Sequence, residues 1–401
     1  MPHPRVSPDD RSARIAVTAA YCAQGVGYAV VVTSLPALKA RQQIDDATVS
    51  LIVLGVALMA ALGSVIANAV AVRVGSRSAL ALGLLVQAVA LPVIALPTPF
   101  AVFAGAWAVF GVGLGCVDAA AAMQGVAVQR AYGRHILGGF FAAATAAAIV
   151  GALLVSAFAA SALGAGLALA AAAVIAAVAA VVVIRLGRRE VPVDEALPPA
   201  QRGALPRAGI WVFGLVVLAI FVADSAVSTW STVYLQDDLG ALAWVAPLGY
   251  AAYQGVVLVT RLVTDRVVAA VGRARVVAVA VAATVSAVGC AVVAVLPFPA
   301  AAIMGFALAG VSAGALIPVT FGAAGDLSPA HSDQVIARVN LFNYAGAILG
   351  AVILGLLADG PGLGIAFLLP AIALAGVLFA LPRFRAARLP QAQRAPASDP
   401  S

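Results

Sequence analysis

Charged side chains are scarce in this 401-residue sequence, where Asp, Glu, Lys and Arg together supply 10% of the residues. Cysteine and histidine are scarcer still, with three of each. Cys22, Cys116 and Cys290 all fall inside long apolar runs, which argues against a disulfide framework and gives no pattern of metal ligands. All three histidines lie outside those runs, so a histidine proton relay in an apolar interior is not expected. We therefore predict neither a metal nor a cofactor.

Two catalytic motifs are missing as well. Neither an H-E-x-x-H zinc motif nor a P-loop occurs, so metalloprotease and ATP-driven mechanisms lack their residues. The string GVGLGC at 111–116 has no preceding strand and does not predict a dinucleotide-binding loop. An intramembrane enzyme has no catalytic constellation to support it, and we expect the protein not to be an enzyme.

Apolar residues make up 64% of the sequence, and the mean hydropathy is +1.09. Ordinary soluble domains are only about half apolar. Runs of about 18 apolar residues or more are long enough to cross a bilayer as helices. The alternating strands of a membrane barrel do not occur. The predicted fold is therefore an all-α membrane protein with twelve transmembrane helices, near 15–38, 49–72, 78–96, 100–128, 137–160, 164–184, 210–235, 243–264, 276–296, 300–325, 339–358 and 363–381.

Basic residues predict the orientation of these helices. With the N-terminus in the cytoplasm, all of the 23 Lys and Arg residues except Lys39 and Arg41 fall in cytoplasmic segments. Short cytoplasmic connections of membrane proteins carry such an excess. We expect a multi-pass protein of the cytoplasmic (inner) membrane with both termini in the cytoplasm. The basic pI of 9.8 reports this topology and gives no reason to expect nucleic acid as a partner.

Internal repetition predicts two related halves. LPTPFA at 96–101 and LPFPAA at 296–301 each join two apolar runs, and the glycine pair of 111 and 115 recurs at 310 and 314. Six helices followed by six related helices is a known transporter layout. The expected domains are an N-terminal six-helix bundle at 1–189, a cytoplasmic linker at 190–208, a C-terminal six-helix bundle at 209–385 and a disordered cytoplasmic tail at 386–401.

Four stretches carry a resemblance to a known family: 111–141, DSAVSTWSTVYL at 224–235, the segment that opens with RLVTDRVVAAVGR at 261, and YAGAILGAVILGLLAD at 344–359. They resemble the fucose-permease-like branch of the major facilitator superfamily, over about residues 15–385. The resemblance implies two pseudo-symmetric six-helix bundles around a central site that opens alternately to each side of the membrane.

Several polar residues usual in that branch are replaced here. Ala122, Phe141 and Thr229 stand where the branch usually has Asn, His and Asp. Gln129 and Asp224 stand at positions that usually hold Glu. A ligand with many hydroxyls needs convergent hydrogen-bond partners, so these losses argue against a sugar-like substrate.

The resemblance also implies a cytoplasmic gate. Asp265 would lie near the negative C-terminal end of its own helix, where a carboxylate needs a cationic partner or a neighbouring helix N-terminus. The first-half counterpart has Val72 in place of the expected Asp, so we expect closure to depend more on Asp265. The alternative is a solvated helix end that follows the basic-residue bias. The gate residues implied are Arg261, Asp265, Arg266, Gly272 and Arg273 in the second half, with Arg73, Gly75 and Arg77 in the first.

Asp118 and Asp224 are the two acids that lie well inside apolar runs. Ionisable residues are costly within a membrane and mark functional sites by default. Burial favours the neutral form of a carboxylate, so such an acid can gain and lose a proton near neutral pH. We predict that these acids couple transport to protons, with Asp224 preferred. The alternative for either is a structural acid that never titrates.

Other polar side chains form stripes along the predicted helices. A stripe that faced lipid would be penalised, so these residues are expected to line a central cavity or to bond neighbouring helices, and both roles remain open. The cavity candidates are Tyr21, Gln24, Tyr28, Gln124, Tyr250, Gln254, Asn340, Asn343 and Tyr344.

The sequence thus predicts a secondary active transporter that moves a small organic solute by alternating access. Its expected partners are the solute, protons and the lipid bilayer, and we expect it to act as a monomer. The shortage of polar groups favours proton-coupled export of a partly apolar compound. Proton-coupled uptake of a sugar-like or other small metabolite is the close alternative. A transport-inactive membrane sensor or scaffold is the alternative from another class.

Overall fold

The computed structural model describes residues 7–133, 136–159, 161, 164–188, 206–268, 273–328, 331–358 and 360–386. The helices before residue 189, here called the first half, are α1 Pro8–Thr33, α2 Leu35–Gln42, α3 Asp46–Val74, α4 Ser76–Ala95, α5 Phe100–Tyr132, α6 Leu137–Phe158 and α7 Gly164–Leu186. The helices after residue 206, the second half, are α8 Arg207–Val233, α9 Pro247–Val268, α10 Arg273–Val295, α11 Pro299–Val311, α12 Ile317–Gly325, α13 Ser332–Ala358, α14 Leu363–Ala366, α15 Leu368–Gly376 and α16 Leu381–Ala386.

All twelve predicted apolar runs lie in helices, and eleven helical segments of the described chain are long and apolar enough to cross a membrane. The remaining run forms α9, a helix of 22 residues that is more polar than the others. Its polar side chains include Tyr250, Tyr253, Gln254 and Arg261. Tyr253, Gln254 and Arg261 each donate a side-chain hydrogen bond inside the protein, and the Tyr250 hydroxyl accepts the one from Gln254. The helix is therefore accommodated in the bundle without being uniformly apolar.

The first predicted run extends to residue 38, but α1 ends at Thr33 and the short helix α2 follows. A side-chain contact explains where α2 lies. The guanidinium of Arg41 donates to the carbonyls of Ile94 (2.5 Å) and Ala95 (2.6 Å), which are left unpaired at the C-terminal end of α4. This contact holds α2 against α4 within the first half.

Two π-helical segments interrupt the second half. Tyr234–Asp238 continues α8, and Ser312–Leu316 separates α11 from α12. The second lies directly before Pro318, whose ring nitrogen cannot donate to the helix ladder. A π-segment beside proline marks an interrupted ladder, so the run at 300–325 is two helices joined by an irregular turn.

The glycine pair packs in the same way in both halves. A Cβ at Gly111 would lie 2.7 Å from the Val56 carbonyl oxygen of α3, and a Cβ at Gly310 would lie 2.5 Å from the Tyr253 carbonyl oxygen of α9. Gly115 and Gly314 approach the same two helices one turn later. Small residues at such positions let helix backbones come close together. The repeated sequence therefore corresponds to a repeated helix contact.

Gly115→Ala tests this contact against a matched control in the same helix. The added methyl would overlap the backbone carbonyl of Ala60, whereas Gly105 has nothing within 4 Å. Overpacking of this kind costs about 1–3 kcal/mol, more than the gain of about 1 kcal/mol in helix propensity. We expect Gly115→Ala to lower the apparent melting temperature in detergent, followed by tryptophan fluorescence, and Gly105→Ala to leave it unchanged or higher. Equal shifts in the two variants would refute the packing role.

The buried apolar clusters show how the halves meet. We call the side where α1 begins the N-terminal face and the other side the opposite face. Near the N-terminal face, the cluster around Leu80 contains first-half residues only, and the cluster around Phe213 contains second-half residues only. Toward the opposite face, one cluster combines both halves and includes Trp107 and Trp230. The described cores are thus joined toward the opposite face and form separate clusters toward the N-terminal face.

Candidate functional site: two acids between the halves

Asp118 lies in the middle of α5 and ends a chain of amide side chains. Gln24 of α1 donates its Nε2 to Asp118 Oδ1 at 2.7 Å and to the Leu114 carbonyl at 3.2 Å. Gln87 of α4 donates its Nε2 to Gln24 Oε1 at 2.6 Å. Because this contact occupies the oxygen of Gln24, its NH2 group is directed at the carboxylate. The chain therefore orients a hydrogen-bond donor toward Asp118 and ties α1, α4 and α5 together.

Asp224 lies in α8, half-buried, and accepts a 2.5 Å hydrogen bond at Oδ1 from the Tyr253 hydroxyl of α9. Arg261, two turns further along α9, is close enough to Asp224 for electrostatic interaction. The Nη1 of Arg261 also donates to Thr145 Oγ1 of α6 at 3.1 Å. The guanidinium therefore links the second half to the first in the neighbourhood of a carboxylate.

Tyr28 of α1 relates the two acids to each other. It is half-buried and close enough to both Asp118 and Asp224 for electrostatic interaction. Tyr250 of α9 interacts in the same way with Tyr28 and Asp224. The two acids, one from each half, therefore belong to a single polar region.

The helix faces show that this region lies between the halves. Val109 precedes Asp118 by nine residues, or half a turn beyond two full turns, so the two side chains point in opposite directions from α5. Leu215 and Asp224 have the same relation on α8. Val109 and Leu215 are 45% and 54% exposed, as expected of side chains that contact lipid. Both acids therefore point away from the lipid.

On the opposite face, one lysine forms an ion pair with an acid of each half. The Nζ of Lys39, the only lysine of the sequence, lies 2.6 Å from Asp46 Oδ1 of α3 and 2.9 Å from Asp237 Oδ2 of the second half. Burial lowers the pKa of Lys39, but its hydrogen bonds to both carboxylates outweigh that effect and raise the pKa above its ordinary 10.5. Lys39 therefore stays charged at physiological pH. We call Lys39, Asp46 and Asp237 the latch.

A second polar contact between the halves lies beside the latch. The hydroxyl of Ser156, near the end of α6, donates to the Trp244 carbonyl of the second half at 2.5 Å. Around it, Ala29, Ala152 and Tyr250 belong to a small apolar cluster shared by both halves. The opposite face is thus closed by ion pairs, a hydrogen bond and apolar packing.

The structure describes the environments of some of the predicted gate residues. Gly75 has a positive φ of 91° and caps α3, a conformation that favours glycine. Arg77 donates to the Ile184 carbonyl at the end of α7 at 3.2 Å, and Arg73 is exposed. Gly272 and the side chains of Asp265, Arg266 and Arg273 lie outside the described residues. The gate therefore stays a prediction, and Arg261, whose side chain is the described one of the second-half gate residues, lies beside the polar region.

The predicted cavity residues divide into two groups. Tyr21, Gln24, Tyr28, Tyr250 and Gln254 all lie in or beside the polar region, where Gln254 donates to the Tyr250 hydroxyl at 2.7 Å.

The others lie elsewhere. Gln124 is 1% exposed, donates to Ser76 Oγ and the Arg188 carbonyl, and accepts from the Arg188 N–H, so it bonds helices within the first half. Asn340 and Asn343 of α13 are half-buried and Tyr344 is exposed, and the structure gives them no contact with either acid among the described residues.

Sequence reasoning missed the partners of the predicted residues. Tyr253 and Thr145 contact Asp224 and Arg261, yet each stands in an apolar run with nothing to mark it. Gln87 was detectable, because it is a lone amide in the run at 78–96. The latch was not, since an ion pair between residues distant in sequence, such as Lys39 and Asp237, leaves no local pattern.

Comparison with known proteins identifies the family. A sequence model described as Major Facilitator Superfamily matches residues 17–296, more than half of the chain. The chain belongs to the Major Facilitator Superfamily. It is therefore a multi-pass membrane transporter of that superfamily, and the all-α fold and the family predicted from its sequence are confirmed.

Two kinds of relative agree with this membership. An MFS-type transporter of Yersinia pestis, of uncharacterised function, is 29% identical over 359 residues, which cover 89% of this chain and 91% of that protein. A crystal structure of a mutant of the nucleoside transporter NupG has a TM-score of 0.75 and 12% identity, covering 92% of this chain and 99% of that one.

A mutant of the E. coli fucose:proton symporter FucP has a TM-score of 0.59 and 15% identity, covering 92% and 98%. At these identities the structural likeness is one of fold.

The sequence contains one pattern that is typical of serine hydrolases. GVSAG at 310–314 has the G-x-S-x-G spacing of a hydrolase nucleophile. Ser312 is buried in a π-helical segment, where its hydroxyl donates to the Ala309 carbonyl at 2.8 Å. The described histidine, His331, contacts another serine. The pattern is therefore a helix-packing surface. No group of three or more metal-ligating side chains occurs among the described residues.

Proposed function

We propose that this protein is a secondary active transporter that moves a small organic solute across the cytoplasmic membrane by alternating access, driven by protons. One observation carries the proposal. An acid from each half lies in a polar region between the halves, whose apolar cores are joined toward one face and separate toward the other.

The basic-residue bias supports the orientation. The N-terminal face carries the arginines of the short connections, whereas Lys39 and Arg41 lie on the opposite face. By the positive-inside rule the N-terminal face is cytoplasmic. The structure then corresponds to an inward-open state, closed toward the outside by the latch.

Proton coupling rests on the environment of Asp224. Its carboxylate is half-buried, accepts a hydrogen bond from the Tyr253 hydroxyl and interacts electrostatically with Arg261. In the inward-open state these two partners stabilise the ionised form. When the halves rock, the Arg261–Thr145 contact between them changes, and the carboxylate loses part of that support and takes up a proton. Proton uptake on one side and release on the other would drive the cycle.

Export of a partly apolar compound is the direction we favour, because the exposed side chains Ala122 and Phe141 are apolar where the fucose-permease-like branch usually has Asn and His. Proton-coupled uptake is the second candidate, and it is supported by the likeness of fold to the FucP symporter. A transport-inactive sensor would bind the same ligand without moving it.

The test uses the purified protein in proteoliposomes loaded with a pH-sensitive dye. A panel of labelled nucleosides, sugars and organic amines is offered with the pH gradient in either direction. We expect accumulation of at least one compound with matching proton movement, and its direction would separate export from uptake. Binding without counterflow for every compound bound would contradict transport and favour the sensor.

A further inference from the structure

We propose that the solute carried by this transporter is an organic cation with an apolar or aromatic body, and that Asp118 is its counter-ion. The inference rests on the transport function proposed above and adds the chemical class of the substrate. It follows from the charges and surfaces around Asp118.

Asp118 is an acid without an ion-pair partner among the residues that the structure describes. The four ion pairs among the described residues involve Lys39, Arg188 and Arg275, and none includes Asp118. Asp224 differs, because Arg261 lies within electrostatic range of it. A charged carboxylate inside a membrane protein normally pairs with a cation, so Asp118 lacks a partner that a ligand could supply.

The hydrogen bonds around Asp118 leave half of its carboxylate available. Gln24 donates to Oδ1, and Oδ2 accepts no hydrogen bond among the described residues. Gln87 holds the amide of Gln24 in this orientation. The side chain of Asp118 is exposed into the space between the halves. An approaching cation therefore meets an oriented carboxylate with a free oxygen.

An aromatic cluster lies near Asp118. Tyr21 lies one turn before Gln24 on α1 and is within electrostatic range of Asp118. Its ring stacks on Phe140 at 5.7 Å between centroids and meets the edge of Phe141 at 5.4 Å. Phe141 is 48% exposed. Aromatic faces attract cations, and a carboxylate beside aromatic rings is the chemistry that recognises ammonium groups.

The same surroundings disfavour other substrate classes. An anion would be repelled by Asp118, which has no compensating guanidinium in contact. A ligand with many hydroxyls needs several convergent partners, and Ala122, one turn along α5 from Asp118, and Phe141 of α6 offer none. An apolar body suits these two side chains.

The test measures the binding of cations and of matched neutral compounds to the purified full chain at pH 8. Tetraphenylphosphonium is compared with triphenylphosphine oxide, and benzyltrimethylammonium with 2,2-dimethylpropylbenzene. We expect the wild type to bind at least one cation about tenfold or more tighter than its neutral partner, because a charge-assisted contact contributes about 1.5–3 kcal/mol. Asp118→Asn should remove this preference, and Asp118→Glu should retain it.

Asp326→Asn is the matched control, since Asp326 is an exposed acid paired with Arg275 away from the polar region. It should leave the cation preference unchanged. Equal binding of cations and neutral compounds by the wild type, or no cation binding at all, would overturn the assignment without any variant having to fold. If the protein transports a neutral solute and binds none of the cations, this inference is overturned and the proposed transport stands. Asp118-dependent cation binding without flux would contradict the proposed transport and keep Asp118 as the cation-binding residue.

Discussion

Asp224→Asn abolishes transport driven by a pH gradient and leaves exchange of solute across the membrane in place. Asparagine keeps an oxygen that can accept the Tyr253 hydroxyl, but it cannot take up a proton. Loss of a positioned proton-transfer group costs about 100-fold or more in rate. The measurement compares pH-driven flux with counterflow at equal pH in proteoliposomes, and only the first should fall.

Two controls bracket this result. Tyr253→Phe removes the hydrogen bond but keeps the carboxylate, so proton-driven flux should persist at a reduced rate. Asp326→Asn makes the same chemical change at an exposed site and should have no effect. Full proton-driven flux in Asp224→Asn would show that this acid is structural and that coupling resides elsewhere.

Lys39→Met shifts the protein from inward-open toward outward-open. The substitution removes both ion pairs of the latch and leaves Asp46 and Asp237 without their cation. Hydrogen bonds to charged groups contribute about 1.5–3 kcal/mol, so the balance should move by about tenfold or more. The measurement is the accessibility of single cysteines on each face to a membrane-impermeant maleimide, in a background without Cys22, Cys116 and Cys290.

Arg41→Met is the matched control for the latch. Arg41 lies two residues after Lys39 on α2, but the described contacts of its guanidinium, with carbonyls of α4 and the Phe103 ring of α5, lie in its own half. Its loss should destabilise the first half without shifting the balance between states. Because pairing raises the pKa of Lys39, the latch contribution is present below the ordinary pKa of 10.5 and is lost only as pH rises past the raised value. A wild-type balance that already shifts between pH 6 and 8 through Lys39 would contradict this account of the latch.

The helices could be predicted from the sequence because the hydropathy and the length of an apolar run are local properties of the chain. Each apolar run became helical, and the run at 243–264 lies largely in α9. The break after Thr33 was missed, although Pro36 in the first turn of α2 cannot donate to the ladder of α1 and gives it a local cause. The glycine pairs were recognised as a repeat, and their contacts with α3 and α9 explain why glycine is repeated there.

The site was readable only in part. Asp118 and Asp224 stand out because a carboxylate inside an apolar run is costly and rare. Their partners do not stand out, because Tyr253 and Thr145 are ordinary residues of membrane helices until tertiary packing brings them to a charge. Gln124 shows the converse, since a polar side chain in a predicted stripe bonds helices of its own half.

Reciprocal movement of the two faces is the most direct test of alternating access, and it can be measured without knowing the solute. Spin labels at Val74 and Val277 report the N-terminal face, and labels at Leu96 and Phe298 report the opposite face, with one exposed residue of each pair in each half. In the Lys39→Met background we expect the first distance to shorten and the second to lengthen relative to the wild type. Distances that stay fixed, or that change in the same direction on both faces, would contradict alternating access.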